Sequence, residues 1–218
     1  MRKSVIIGAS VLAGSLFFTG CAKTESGYRY ADPDSYSSGD FSYDESSVEA
    51  VKINWIAGNV YIDESVMDTL QVYEESEQDI TDSGSLRYKI EDGTLVIQFC
   101  ESGSDIDNMS KDLYVKLPIL LKDVDINVVS ADTQMISSAA DIQYDSVSGK
   151  LDLLVDQCED LTINTVSGDL RILLDYDLGA KVEFDSVSGK YSCVDKNADK
   201  ICNVKCHTVS GNLEVASE

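Results

Sequence analysis

The sequence predicts an all-β protein built as a stacked array of strand–corner–strand units, each about 20 residues long. Three observations carry this expectation. Apolar and polar residues alternate with period two from Val48 onward. A Val-Ser-Gly corner recurs four times at nearly constant spacing. Val, Ile, Tyr and Leu dominate the alternating runs, while Gly, Asn and Asp punctuate them, which is the composition of strands and turns.

The N-terminus reads as an address. Arg2 and Lys3 precede an unbroken apolar or small run, Val5 to Phe18. The run is short for a membrane span and has the length of a signal-peptide core. It leads into Thr19-Gly20-Cys21, which resembles a bacterial lipobox, with Phe18 where Leu, Val or Ile is usual. The resemblance implies that residues 1–20 are removed and that Cys21 is lipidated as the mature N-terminus. The protein is then expected in the cell envelope, held to a membrane by lipid and facing away from the cytoplasm.

Residues 22–47 are rich in Ser, Tyr, Asp and Gly and lack a hydrophobic period. With Cys21 they read as a flexible tether, roughly 25–30 Å from end to end if coil-like. Its tyrosines, Tyr28, Tyr30, Tyr36 and Tyr43, are candidates for a wall-contacting patch, although an uncommitted spacer is the simpler reading.

The β domain is expected over 48–218. It is less regular over 48–122, an N-terminal cap region, and regular over 123–218. Early strands are signalled by Val51-x-Ile53, Leu70-x-Val72, Leu86-x-Tyr88-x-Ile90, Leu95-x-Ile97-x-Phe99, Leu113-x-Val115-x-Leu117 and Val124-x-Ile126-x-Val128. Four copies then align on Val147-Ser148-Gly149, Val166-Ser167-Gly168, Val187-Ser188-Gly189 and Val209-Ser210-Gly211, their glycines 19, 21 and 22 residues apart. Degenerate copies surround Ser130-Ala131 and Ala57-Gly58. A Gly between two strands marks an unusual backbone conformation or a close approach by the next unit.

Stacking such units brings equivalent residues side by side, about 4.8 Å apart. Three columns follow. The residues after the Gly are Asp132, Lys150, Asp169, Lys190 and Asn212. Two further on come Gln134, Asp152, Arg171, Ser192 and Glu214, and before the corner come Asn54, Asn127, Asp145, Asn164, Asp185 and His207. Charge signs alternate instead of accumulating, which favours this register. It predicts that Lys150 lies beside Asp132 and Asp169.

The repeated Val-Ser-Gly pattern over roughly 50–218 resembles the putative-adhesin β-strand-repeat family of bacterial envelope proteins, a domain of unknown function. The resemblance implies a right-handed β-solenoid at the cell surface, often membrane-attached, with no established catalytic residues.

Composition narrows the chemistry. The chain has 17 Lys and Arg against 39 Asp and Glu, a formal net charge of −22, and removing residues 1–20 makes it more acidic still. That excludes a nucleic-acid partner and an electrostatic grip on anionic lipid. A single His leaves little room for His-based catalysis or metal binding. Cys202, Cys206 and His207 look like a ligand cluster, but the register assigns Cys206 the inward position held by Phe184, Ile163 and Tyr144. Core packing is the first reading of these cysteines, a Cys193–Cys202 disulfide across the 194–201 loop the second, and a metal site the last. The pairs Asp105/Asp107 and Asp123/Asp125 have the chemistry for calcium or glycosidase work, with a solvated acidic face as the plainer reading. Trp55 and the Tyr residues are candidates to stack on sugars, and Trp55, which precedes a core-type Ile, could equally sit half-buried.

These features favour a non-enzymatic, lipid-anchored surface protein, adhesin-like or envelope-structural, with no catalytic residue, metal or cofactor. Its partners are the membrane through the lipid and an unidentified surface, glycan or protein ligand. An envelope-stress sensor contacting a membrane protein is one alternative; a carbohydrate-active enzyme on a β-helix is another.

Overall fold

The computed structural model describes residues 27–43, 47–65, 69–119, 121–193 and 198–217. The signal-like segment and Cys21 lie outside the described residues. Eighteen strands account for most of what is described, and no described helix is long and apolar enough to cross a membrane.

The irregular half holds β1 (Ser37–Ser38), β2 (Phe41–Tyr43), β3 (Ala50–Trp55), β4 (Asn59–Ser65), β5 (Leu70–Glu75), β6 (Arg87–Glu91), β7 (Thr94–Gln98) and β8 (Asp112–Pro118). The repeats supply β9 (Asp123–Val128), β10 (Asp132–Ser137), β11 (Asp141–Ser146), β12 (Leu151–Val155), β13 (Asp160–Thr165) and β14 (Leu170–Leu174). The last units are β15 (Leu178–Ser186), β16 (Tyr191–Cys193), β17 (Lys200–Thr208) and β18 (Leu213–Ser217). Alternation decides each strand's faces: in β9, Val124, Ile126 and Val128 are buried, while Asp123, Asp125 and Asn127 point away.

The strands form two nine-stranded sheets. The first runs β1-β6-β7-β3-β9-β11-β13-β17-β15, the second β16-β18-β14-β12-β10-β4-β8-β5-β2. The repeat strands pair in parallel, and antiparallel strands close the other end, β6 on β7 and β5 on β8. The core lies between the sheets as matched ladders. On one side Ile53, Ile126, Tyr144, Ile163 and Cys206 stand in register; on the other Ile62, Met135, Leu153, Ile172 and Val215 do. These ladder residues are at most 3% exposed, and each large aliphatic one contributes about 1.5–3 kcal/mol by leaving water.

Two expectations need correction. The chain is all-β, but it is not a right-handed β-solenoid. A solenoid lays each coil on the one before it and closes around its axis. Here two mixed sheets face each other, sandwich-like, and strand order departs from chain order at both ends. β17 sits between β13 and β15, and β18 between β14 and β16, so the last unit inserts beneath the penultimate one. The burial pattern accords with this order. Cys202, Val204, Cys206, Leu213 and Val215 of the last unit are buried and fit an interior position. β15 carries exposed Lys181, Glu183 and Asp185, and β16 is exposed throughout, so that unit suits a sheet edge.

The second correction concerns the tether. Residues 27–43 belong to the fold. β1 pairs with β6 and β2 with β5, both antiparallel. Tyr28 donates its hydroxyl to Gln98 Oε1 at 2.5 Å and meets Phe99 edge-on, and Phe41 stacks on Tyr88 with ring centroids 3.6 Å apart. Aromatic residues read as spacer cover the open end of the sandwich.

Candidate functional site

The Val-Ser-Gly residues form the corner between the two sheets, and each position has its own role. The Ser or Thr that ends the incoming strand accepts a hydrogen bond from the Gly amide: Ser146 Oγ from Gly149 at 2.9 Å, Ser186 Oγ from Gly189 at 2.7 Å, Thr208 Oγ1 from Gly211 at 2.7 Å. The motif Ser reaches the neighbouring unit. Ser148 donates to the Val129 carbonyl, Ser167 to Val147, Ser210 to Val166 and Ser188 to Val209, at 3.3–3.4 Å. The Gly is required by proximity. A Cβ on Gly149 would stand 1.9 Å from the Ala131 carbonyl oxygen, and one on Gly189 2.0 Å from that of Gly211. The Val residues make an outward ridge, 36–40% exposed at Val147, Val166 and Val209 and 83% at terminal Val187. These residues are the joint of the scaffold.

The predicted register is present. The Lys150 amide donates to Asp132 Oδ1 at 2.9 Å, and Leu151 donates to the Asp169 carbonyl at 3.1 Å, so Lys150 lies between the two acids. Asp152 opposes Arg171 in a 3.4 Å exposed ion pair. The inserted last unit changes the ends of the columns: Arg171 abuts Glu214 instead of Ser192, and His207 sits between Asn164 and Asp185.

The sequence-selected chemical candidates do not converge. Trp55 is 1% exposed, with Nε1 donating to the Lys111 carbonyl at 2.9 Å and its ring against Phe99, so no sugar reaches it. Asp125 is paired with Lys52 and accepts from Asn127 Nδ2 at 2.7 Å, while Asp105 accepts from the Asp107 amide within one exposed loop. Strand alternation turns Cys202 and Cys206 inward and His207 outward, which dismantles a three-ligand site. No group of three or more His, Cys, Asp or Glu suited to a metal occurs among the described residues. Burial pushes the Cys206 thiol up to about 12 and the Cys100 thiol up to about 11. Cys193 is exposed on β16 of one sheet, while Cys202 is buried on β17 of the other.

What the fold does assemble is an outward face on the second sheet. Tyr61 of β4 pairs with Tyr114 of β8, which pairs with Tyr73 of β5. The rings stack with centroids 4.9 and 4.7 Å apart and planes within 19° and 5° of parallel. This spacing is the strand spacing expressed in side chains. Next along the sheet, Ile136 and Leu154 form an apolar step. Gln71, Gln134, Asp63, Asp152 and Lys116 border the same open groove of about 620 Å³. Desolvation, then the charges of Glu75 and Asp112, raise the Tyr114 phenol above its ordinary value. The groove joins aromatic rings and aliphatic carbon to amides and carboxylates, the chemistry that contacts a neutral, hydroxyl-rich or amphipathic partner.

The tyrosines are sugar-stacking candidates from the sequence, but which three come together is not legible there, for a definite reason. Each tyrosine occupies an outward position of an alternating run, as in Val60-Tyr61-Ile62 and Leu113-Tyr114-Val115. That parity is legible. The neighbour relation is not, because β5 joins β8 antiparallel and lies outside the repeat.

No protein-family model matches the chain, and none of the curated proteins does. Solved structures do resemble it. A putative cell adhesion protein from Clostridium sporogenes matches 84% of this chain and 100% of its own, with TM-score 0.61 and 10% identity. A putative lipid binding protein from Parabacteroides distasonis matches 84% of this chain and 97% of its own, with TM-score 0.40 and 12% identity. A putative adhesin from Bacteroides fragilis matches 82% and 97%, with TM-score 0.36 and 12% identity. The protein is thus of the all-β, two-sheet class, and it shares its fold with the Clostridium protein.

Proposed function

We propose that the protein is a non-enzymatic, adhesin-like binding protein of the cell envelope, anchored through Cys21, whose tyrosine groove contacts a neutral glycan. The observation that carries the reading is the Tyr61–Tyr114–Tyr73 stack, set beside amide and carboxylate side chains in one open groove. Aromatic and aliphatic carbon suit sugar C–H groups, and the amides and carboxylates suit sugar hydroxyls. A net charge of −22 disfavours an acidic polymer. The lipobox-like Thr19-Gly20-Cys21 supports the anchor, and the fold shared with a putative cell adhesion protein supports a contact role. Tethering many copies to one surface turns weak contacts into avidity.

The test is retention of the protein on immobilised neutral and acidic polysaccharides, beside a hydrolase screen. Retention on a neutral polymer, lost in a Tyr61→Ala/Tyr73→Ala/Tyr114→Ala variant, is expected. Equal retention of the variant, or turnover of any polysaccharide, refutes the reading. Fatty-acid labelling of wild type but not of Cys21→Ser tests the anchor separately.

A further inference from the structure

We infer that Cys158 and Cys202 form an intramolecular disulfide that fastens β17 to the segment entering β13. The two sulfurs are 2.7 Å apart. That is well inside the separation of unbonded sulfur atoms in contact and a short closure from the bond length of about 2.0 Å. Both residues are buried, Cys202 fully and Cys158 to 7% exposure. They are 44 residues apart in sequence yet meet where the last unit departs from chain order. The adjoining backbone is already aligned: the Asn203 amide donates to the Glu159 carbonyl at 2.9 Å, and Asp160 pairs with Asn203. Cys158 also lines an open hollow of about 500 Å³ with Gln157, Leu178, Lys200 and Ile201, which gives one sulfur a route to reagents.

The position gives the bond a purpose. Every unit carries the same corner, so β15 and β17 compete for the interior place next to β13. β15 has Ala180 opposite Cys202, so only the last unit brings a thiol to Cys158. The bond therefore selects the observed order over the sequential one.

The chemistry balances with an external disulfide, carried by a thiol–disulfide oxidoreductase or a small dithiol couple. The Cys158 thiolate attacks that disulfide and expels one thiolate. The Cys202 thiolate then attacks Cys158 Sγ and expels the second. Two protons pass to the released thiolates, and the external disulfide takes the two electrons. In the cell, the step rests on the proposed location outside the reducing cytoplasm.

The experiment uses the full chain in two settings, purified in detergent and oxidised in a glutathione buffer, and recovered from the cell envelope. Each sample is alkylated and digested with trypsin without reduction. The expected product joins peptide 151–171 to peptide 201–205 and is two hydrogens lighter than the two thiol peptides. Alkylated thiols at both positions in the glutathione buffer overturn the inference, as does a 191–196/201–205 link through Cys193. A bond formed in buffer but absent from cells sustains the pair and sinks the envelope location instead. Cys158→Ala and Cys202→Ala should each lower the oxidised Tm by roughly 8–16 °C, with no further loss in the double variant. The same drop under reducing conditions would assign the effect to packing and overturn the bond.

Discussion

Lys111 Nζ lies 2.5 Å from a Glu74 carboxylate oxygen, with the two side chains only 1% and 5% exposed. The ammonium also donates to the Gly84 carbonyl at 2.5 Å and stands 4.7 Å from the Phe99 ring centre and 5.0 Å from that of Trp55. The other Glu74 oxygen accepts the Leu86 amide at 2.8 Å. The pair ties β5 to the start of β8 in the irregular cap, where no repeat register holds the strands. Burial lowers the Lys111 pKa, and Glu74 opposes that shift.

A buried pair is weak evidence of net stabilisation, but a half-removed pair is costly. Glu74→Gln should destabilise the protein by about 3–5 kcal/mol, because it strands the ammonium in the core. Glu74→Leu/Lys111→Met should recover most of that loss. Denaturant midpoints measure both; a double variant as unstable as Glu74→Gln would mean the pair does more than neutralise itself.

At the corner, Gly149→Ala and Ser148→Ala separate close approach from hydrogen bonding. The added methyl would meet the Ala131 carbonyl oxygen at 1.9 Å, and backbone must move. A loss of about 3 kcal/mol or more is expected, at or beyond the upper end for overpacking. Ser148 loses one exposed 3.3 Å bond to Val129, at a cost of about 0.5–1 kcal/mol. Similar losses from the two variants in thermal unfolding would remove the steric explanation for the Gly.

Tyr114 has ring partners on both sides, so Tyr114→Ala should cost about 1–3 kcal/mol of stability from two stacked contacts. Retention on a neutral glycan should weaken at least tenfold. Tyr114→Phe keeps the stack and loses the hydroxyl. Binding by the Phe variant near wild type assigns the contact to carbon surface; binding as weak as the Ala variant assigns it to the phenol oxygen.

The raised Cys206 thiol has a signed consequence. The unfolded thiol, near 9.0, loses its proton first, while the folded one holds on until about 12. Between those values the unfolded chain binds fewer protons, so stability falls as pH rises. Below pH 9 the group contributes no slope. Cys206→Val removes the thiol from the ladder position beside Ile163 and should flatten this part of the alkaline loss. Unfolding curves of both proteins at pH 8 and 11 provide the comparison, and parallel declines would refute it.

Strand content, inward and outward parity and the stacking register were all legible in the chain. They depend on side-chain alternation and on like residues meeting like, which are local properties of the repeat. Lys150 beside Asp132 and Asp169 and the inward position of Cys206 follow from that alone. Which unit lies against which was not legible. Identical Val-Ser-Gly corners fit any neighbour equally well, so the place of β17 between β13 and β15 rests on tertiary contacts outside the motif, among them the meeting of Cys202 with Cys158. For the same reason the tyrosine groove and the Cys158–Cys202 contact exist only in the tertiary structure. Each joins residues from strands whose adjacency no local pattern encodes, because the free energy that chose it belongs to the closed core as a whole.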